Sequence, residues 1–216
     1  MDTTKLPVLD AAQIRVLGAL MEKCKTTPDY YPMTLNGLAA ACNQKTSRKP
    51  VVQYDDSTIT SALNALKIAG LISTATGGSI RNIKYKHNFA IVFPVLPAEV
   101  AVMCLLFLRG PQTPGEINTN SGRLYEFETL EEVQQVLEKL ANEEPAYIKQ
   151  LPRKPGQKEV RYMHLFSGNI EALEEEYIAE ESPKANNGLE ERLSKVEEEL
   201  AELKANFDKL MKELMG

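Results

Sequence analysis

DDSTITSALNALKIAGLISTATGGSIRNIKYKH, residues 55–87, passes from a helical to an extended pattern within one short run. Asp55 or Asp56 is a favourable N-cap, the apolar residues that follow recur at helical spacing, and Gly70 is placed to end the helix. Leu71–Thr76 and Ile80–His87 have strand character, and Gly77-Gly78 between them is a favoured hairpin turn. The run therefore predicts a helix followed by a two-stranded hairpin.

Two further helices are predicted ahead of this run. Asp10 is an N-cap for a long helix with Ile14, Leu17, Leu20 and Met21 on one face, and Thr34 caps a short helix after Pro28 and Pro32 have interrupted the chain. Three helices followed by a hairpin are typical of the winged-helix architecture, in which the third helix enters the major groove of DNA and the hairpin forms the wing.

The same order of elements recurs 87 residues later. Leu6-Pro7-Val8-Leu9-Asp10 resembles Phe93-Pro94-Val95-Leu96-Pro97, and each segment precedes a long apolar helix. Thr113-Pro114-Gly115-Glu116 then predicts a capped short helix, a third helix starts near Thr129, and strands follow at Tyr147–Leu151 and Val160–Phe166. The sequence thus predicts a mainly α protein with small β-hairpins, organised as two tandem winged-helix domains at residues 1–90 and 91–167.

The remainder divides into a linker, residues 168–187, and a predicted coiled-coil helix, residues 188–216. Its apolar residues alternate at spacings of four and three, which is a heptad seam: Leu189, Leu193, Val196, Leu200, Leu203, Phe207, Leu210 and Leu214. This pattern predicts a homodimer formed through the C-terminal helix. Docking of the helix on the body of the protein or on a partner protein remains the alternative.

Charge is distributed unevenly along the chain. Residues 1–90 hold 11 basic and 6 acidic side chains, whereas residues 167–216 hold 6 and 14, within a net charge of −5. The basic first domain favours contact with a polyanion, so double-stranded DNA is the predicted ligand.

Ten residues of the first domain are candidates for that contact. Three lie in the loop at residues 43–54, four on the polar side of the third helix and three in the wing: Lys45, Arg48, Lys49, Thr58, Ser61, Asn64, Lys67, Arg81, Lys84 and Lys86. An ordinary solvated loop and helix face is the alternative. In the second domain, Glu128, Glu131, Glu132 and Glu138 make the third helix acidic, which favours support or protein contact over DNA.

Other functional classes find little support in the sequence. The chain has no apolar run long enough for a membrane span and no signal-peptide core, so the cytoplasm is the expected location. Three widely spaced cysteines without a CxxC motif predict no metal or cofactor, and Cys42 and Cys104 are expected to be buried free thiols. Common catalytic motifs are absent from the sequence, which predicts a protein that is not an enzyme.

Four blocks in the same order resemble the bacterial YceH family, namely residues 41–51, 108–116, 123–127 and 161–168. The resemblance covers roughly residues 8–168. It implies a tandem winged-helix protein in the bacterial cytoplasm and brings no catalytic or ligand residues with it. The predicted function is therefore a DNA-binding protein, in the manner of a transcriptional regulator. A protein-interaction scaffold with winged-helix domains as adaptors is the alternative.

Overall fold

The computed structural model describes residues 5–76, 83–153 and 159–168, together with the single residues Lys195 and Lys204. The chain divides into two compact units, Met1–Ile170 and Glu171–Gly216. The eight residues of the predicted heptad seam lie outside the described residues. The coiled coil and the homodimer therefore stay predictions.

Three α-helices open the first unit at the predicted places. Helix α1 spans Ala11–Thr26, α2 spans Leu35–Cys42 and α3 spans Asp56–Ile68, and a 3-10 turn at Pro28–Tyr30 lies between the first two. Each helix starts after a side-chain cap, because Asp10, Thr34 and Asp55 accept hydrogen bonds from main-chain N–H groups of the first turn. The three predicted N-caps are confirmed.

A three-stranded antiparallel sheet completes this half of the unit. Strand β1 is Met33–Thr34, β2 is Ile72–Thr76 and β3 is Ile83–His87, in the order β1-β3-β2. Ile72 pairs with His87 and Met33 with Tyr85. The sequence did not predict β1, because two residues are too few to show strand alternation. The predicted Gly77-Gly78 turn lies outside the described residues.

The second half repeats the order of elements. A short helix α4, Phe89–Val92, precedes α5 at Pro97–Arg109, α6 at Pro114–Ser121 and α7 at Leu130–Asn142. Strands β4, Ile148–Gln150, and β5, Tyr162–His164, pair antiparallel. The strands are shorter than predicted, and α4 crosses the predicted domain boundary at residue 90.

Helices α1 and α5, which hold equivalent places in the two halves, pack directly against each other. A Cβ atom at Gly18 of α1 would lie 3.0 Å from Cβ of Phe107, so only glycine allows this approach without a shift. The Sγ atom of Cys104 donates to the carbonyl oxygen of Gly18 at 3.5 Å. The two repeats therefore share one continuous hydrophobic core.

An aromatic cluster lies in this shared core. Phe166 is fully buried, and its ring centroid lies 5.8 Å from Phe89, 5.3 Å from Phe93 and 5.4 Å from Phe107. The main-chain N–H of Leu9 donates to the carbonyl oxygen of Phe166 at 2.7 Å. Phe166, near the end of the second repeat, thus contacts both Leu9 at the start of the first repeat and Phe89 at its end.

The described part of the chain is mainly helical with two small antiparallel sheets, as the sequence predicts at this level. Cys42 and Cys104 are buried free thiols, which confirms that expectation. Among the described helices, none combines the length and apolarity that crossing a bilayer requires.

Both histidines lie at strand ends and are largely buried, and burial lowers the pKa of His87 and of His164 to about 4. The positive charge of Lys25 also lowers the pKa of His87. Since the unfolded chain takes up these protons near pH 6.5, stability is fully present above that pH and falls towards pH 4. We expect the free energy of unfolding to drop by about 1–2 kcal/mol per histidine between pH 7 and pH 5.

Urea unfolding at the two pH values measures this loss, and His164→Gln should reduce it. An unfolding midpoint that does not change between pH 7 and pH 5 would contradict the prediction. Carboxylates with lowered pKa values, such as Glu22 and Glu116, lose their stabilising contribution mainly below about pH 4.5. Their protonation therefore does not obscure the loss caused by the histidines.

Candidate nucleic-acid interface

The outer side of α3 is the centre of the candidate interface. Ile59, Leu63 and Leu66 face the core, whereas the opposite side of the helix is exposed and free of acidic side chains after its first residue. Its exposed residues from the second position onward are Ser57, Thr60, Ser61, Asn64, Lys67 and Ile68. Three of the four predicted contact residues on α3 are therefore accessible. The fourth, Thr58, is half-buried.

The start of α3 carries negative charge. The Oδ1 atom of Asp55 accepts from the main-chain N–H of Thr58 at 2.8 Å and from the hydroxyl of Ser57 at 2.9 Å. Hydrogen bonds from Thr58 and Ser57 lower the pKa of Asp55. Asp55 thus favours the helix but repels phosphate, so a DNA backbone would approach α3 nearer its middle and end.

A shallow pocket of about 320 Å³ lies beside this helix face, where the first turns of α1 and α3 meet. The residues that line it are Asp10, Ala12, Ser57, Thr58, Ser61 and Ala62. Its lining mixes one carboxylate with small polar and apolar side chains, which gives it no positive charge of its own. The polar face of α3 outside the pocket therefore remains the better surface for a polyanion.

Strand β3, in the predicted wing, contributes two lysines. Side chains alternate along a strand, so Lys84 and Lys86 share one face of β3 while Tyr85 packs against the core from the other. Lys86 is exposed and Lys84 is half-buried. Arg81, the third predicted wing residue, lies outside the described residues, and its role stays a prediction.

The structure corrects the prediction for Arg48. This side chain is buried, and its guanidinium donates to both carboxylate oxygens of Glu22, at 2.6 and 3.0 Å. It also donates to the carbonyl oxygens of Ala41 and Ser47. Because these contacts occupy the guanidinium inside the protein, Arg48 does not present its charge to a phosphate.

A second buried arginine holds the loop in place. Arg15 of α1 donates to the carbonyl oxygens of Cys42, at 3.2 Å, and Pro50, at 2.6 Å. The side chain of Asn43 makes two hydrogen bonds of 2.8 Å with the main chain of Tyr54, which closes the loop at its base. Burial and the nearby charge of Arg48 lower the pKa of Arg15.

Sequence reasoning missed Arg15 and Glu22 as the residues that organise this loop. The available signal was an arginine between Ile14 and Val16, within an otherwise apolar stretch of helix. An arginine in that position requires acceptors inside the protein. The loop carbonyls and the end of α2 supply them, and the arginine charge is favourable at a helix C-terminus.

Glu22 balances the charges around the loop. Burial opposes its ionisation, but hydrogen bonds and charge from Arg48, together with Lys23, outweigh burial and lower the pKa of Glu22. The Nζ atom of Lys23 lies 3.3 Å from Glu22 and 3.4 Å from the amide oxygen of Gln44. Glu22 is therefore committed to internal contacts.

Lys45 and Lys49 are the cations that this loop leaves exposed. The main-chain N–H of Lys49 donates to the carbonyl oxygen of Leu108 at 2.8 Å, so the loop is tied to the end of α5. The side chains of both lysines are thus presented by a backbone that is fixed at several points. Of the three predicted loop residues, these two fit phosphate contact.

The second repeat presents a different surface. Glu128, Glu131 and Glu138 are exposed on or beside α7, and the single lysine of that helix, Lys139, pairs with the buried Glu99 at 2.6 Å. Glu132 accepts hydrogen bonds from the hydroxyl of Tyr125 and the N–H of Glu128. An acidic α7 repels a phosphate backbone, in contrast to α3.

The β4–β5 segment of the second repeat is held by an ion pair. Arg161 donates to both carboxylate oxygens of Glu116, at 2.5 and 2.7 Å, and to the carbonyl oxygen of Pro111. Burial opposes ionisation of Glu116, but Arg161, the N–H of Thr113 and the charge of Lys49 lower its pKa overall. Arg153 is exposed, while Lys154 and Lys158 lie outside the described residues.

Comparison with known proteins places the chain in a family. The model of the family described as "Protein of unknown function, DUF480" matches residues 9–157. A UPF0502 protein of Solibacter usitatus is 48% identical over 200 residues, which is 93% of this chain and 95% of the relative. The UPF0502 protein YceH of Escherichia fergusonii is 41% identical over 211 residues, 95% and 97% of the two chains. The chain therefore belongs to the DUF480 family, together with the bacterial UPF0502 proteins that include YceH.

Proposed function

We propose that this protein is a non-enzymatic, cytoplasmic DNA-binding protein, built from two winged-helix domains in tandem and acting as a transcriptional regulator. The observation that carries the proposal is the exposed face of α3, which is polar apart from Ile68 at its end and has no acidic side chain from Ser57 to Ile68. Helix α3 would lie in the major groove as the recognition helix.

Lysines surround that face in the proposed complex. Lys45 and Lys49 from the loop, together with Lys84 and Lys86 from the wing, would contact phosphates on the DNA backbone. Arg48 has a structural part in this proposal, since it holds the loop that carries the two lysines. Dimerisation through the C-terminal helix would place two such surfaces on one DNA duplex.

The second repeat would support the first. Its buried contacts with α1 fix the orientation of the first repeat. Its helix α7 is acidic and therefore unsuited to phosphate contact. The same acidic surface favours a second candidate function, a protein-interaction scaffold in which the domains act as adaptors.

The proposal is tested by measuring the binding constant of the full-length protein for fluorescent duplex DNA prepared from genomic fragments. The measurement is repeated at increasing salt concentration. The double variant Lys45→Ala/Lys49→Ala should bind about tenfold more weakly at low salt. The slope of log K against log salt should become shallower by about 2, because each phosphate contact contributes about one counterion.

A control variant with the same loss of charge is Arg123→Ala/Arg153→Ala, which removes two exposed arginines of the second repeat. We expect this variant to bind as the unchanged protein does. Equal weakening in both variants would mean that the effect follows net charge alone. An ionic strength of about 50 mM permits phosphate contacts. Undetectable binding of the unchanged protein at about that salt concentration would overturn the proposed function.

A further inference from the structure

Asn64 and Ile68 stand one turn apart on the exposed face of α3. Residues four apart on a helix share a face, and both side chains are exposed. Ile68 is 87% exposed, and it is the last residue of the helix. An amide and an aliphatic side chain are therefore presented side by side to any ligand that covers this face.

The chemistry of this pair matches an A·T base pair in the major groove. The carboxamide of asparagine pairs with N6 and N7 of adenine, and an aliphatic side chain packs against the 5-methyl group of thymine. Four residues of helix span about 6 Å, which is close to the height of two base-pair steps. One adenine and one thymine within two steps would meet both side chains.

The rest of the face adds little preference for G·C. The commonest specific contact to guanine is the paired hydrogen bond from arginine, and the exposed residues of α3 include no arginine. Thr60 and Ser61 carry hydroxyl groups that accept either base, and the methyl group of Thr60 is a further apolar contact. Lys67 is the one cation, suited to a phosphate or to guanine.

We propose that α3 recognises an A·T-containing DNA element through the major groove, with Asn64 hydrogen-bonded to adenine and Ile68 packed on the methyl group of thymine. This inference rests on the proposed function and names the substrate of the same surface. Asn64 and Ile68 set sequence preference, whereas Lys45 and Lys49 supply affinity that is independent of sequence.

Selection of binding sites from a random duplex pool by the full-length protein should yield an element with A·T pairs. Base analogues then identify the atoms that are recognised. Replacing thymine by uracil in the selected element removes the 5-methyl group only, and replacing adenine by 7-deazaadenine removes the N7 acceptor. Loss of one methyl contact should weaken binding of the unchanged protein by about 2- to 5-fold. Loss of the N7 acceptor from the paired contact with asparagine should weaken it by about 5- to 100-fold.

The variants should each lose sensitivity to one analogue. Ile68→Ala should bind the thymine and uracil elements equally, and Asn64→Ala should bind the adenine and 7-deazaadenine elements equally. Ile91→Ala and Asn142→Ala remove an isoleucine and an asparagine that are exposed outside α3, and both should behave as the unchanged protein does. All four sites are on the surface, so circular dichroism should show unchanged folding.

Two failures are distinguishable. If the protein binds DNA but selects no A·T pairs, or does not distinguish uracil from thymine, the inference is overturned while the proposed function stands. An A·T preference that survives both analogues would point to the minor groove and would overturn it equally. If the unchanged protein binds no DNA, the proposed function falls and this inference falls with it.

Discussion

Replacing Arg48 with alanine should lower the free energy of unfolding by about 3–5 kcal/mol, the range for removal of one partner from a buried ion pair. In this variant the partly buried carboxylate of Glu22 would lack its main counter-ion. It would also leave the carbonyl oxygen of Ala41 without either of its hydrogen bonds from Arg48. Urea unfolding at pH 7, followed by far-ultraviolet circular dichroism, measures the loss.

Lys45→Ala is the matched control, because it removes one positive charge from the exposed part of the same loop. Its free energy of unfolding should stay within about 0.5 kcal/mol of the unchanged protein. The double replacement Glu22→Leu/Arg48→Met should cost less than Arg48→Ala, since it leaves no buried charge unpaired. A loss below about 1 kcal/mol for Arg48→Ala would contradict the role of Arg48 as the internal anchor of the loop.

The second large effect is expected from Phe166→Ala, again with a loss of about 3–5 kcal/mol. The ring is fully buried and contacts aromatic rings from both repeats, so its removal opens a cavity where the two halves meet. Thermal and urea unfolding should both report the loss. One cooperative transition is expected, because the repeats share a core.

Tyr30→Ala provides a comparison, since this aromatic side chain is 78% exposed. Its removal should change the free energy of unfolding by no more than about 0.5 kcal/mol. Phe166→Leu should be milder than Phe166→Ala because part of the volume is retained. Equal losses for Tyr30→Ala and Phe166→Ala would show that the aromatic cluster does not stabilise the shared core.

Local signals in the sequence were sufficient for the described helices other than α4. Asp10, Thr34, Asp55 and Thr113 are N-caps in the structure as predicted, because capping depends on residues only three positions apart. Helix α7 begins after Thr129, near which its start was predicted. The buried and exposed sides of α3 follow from its helical period for the same reason. The exposure of Ser61, Asn64 and Lys67 could therefore be predicted from the sequence.

Features that depend on distant residues were not predicted. Arg48 is buried because Glu22, which lies 26 positions away in α1, meets it in the folded chain. Three positive residues within a loop gave no sign of which one turns inward. The two-residue strand β1 exists only because β3 pairs with it, and α4 forms where Phe89 enters the aromatic cluster.

The contact between Leu9 and Phe166 has a consequence for biosynthesis. The ribosome synthesises the chain from the N-terminus to the C-terminus, so Leu9 and Phe89 emerge well before Phe166 has been added. Until then, Phe89 lacks the ring that covers it and Leu9 lacks its main-chain acceptor. The first repeat therefore reaches its final packing only after the second has been translated, and nascent-chain chaperones would meet its uncovered aromatic face in the interval.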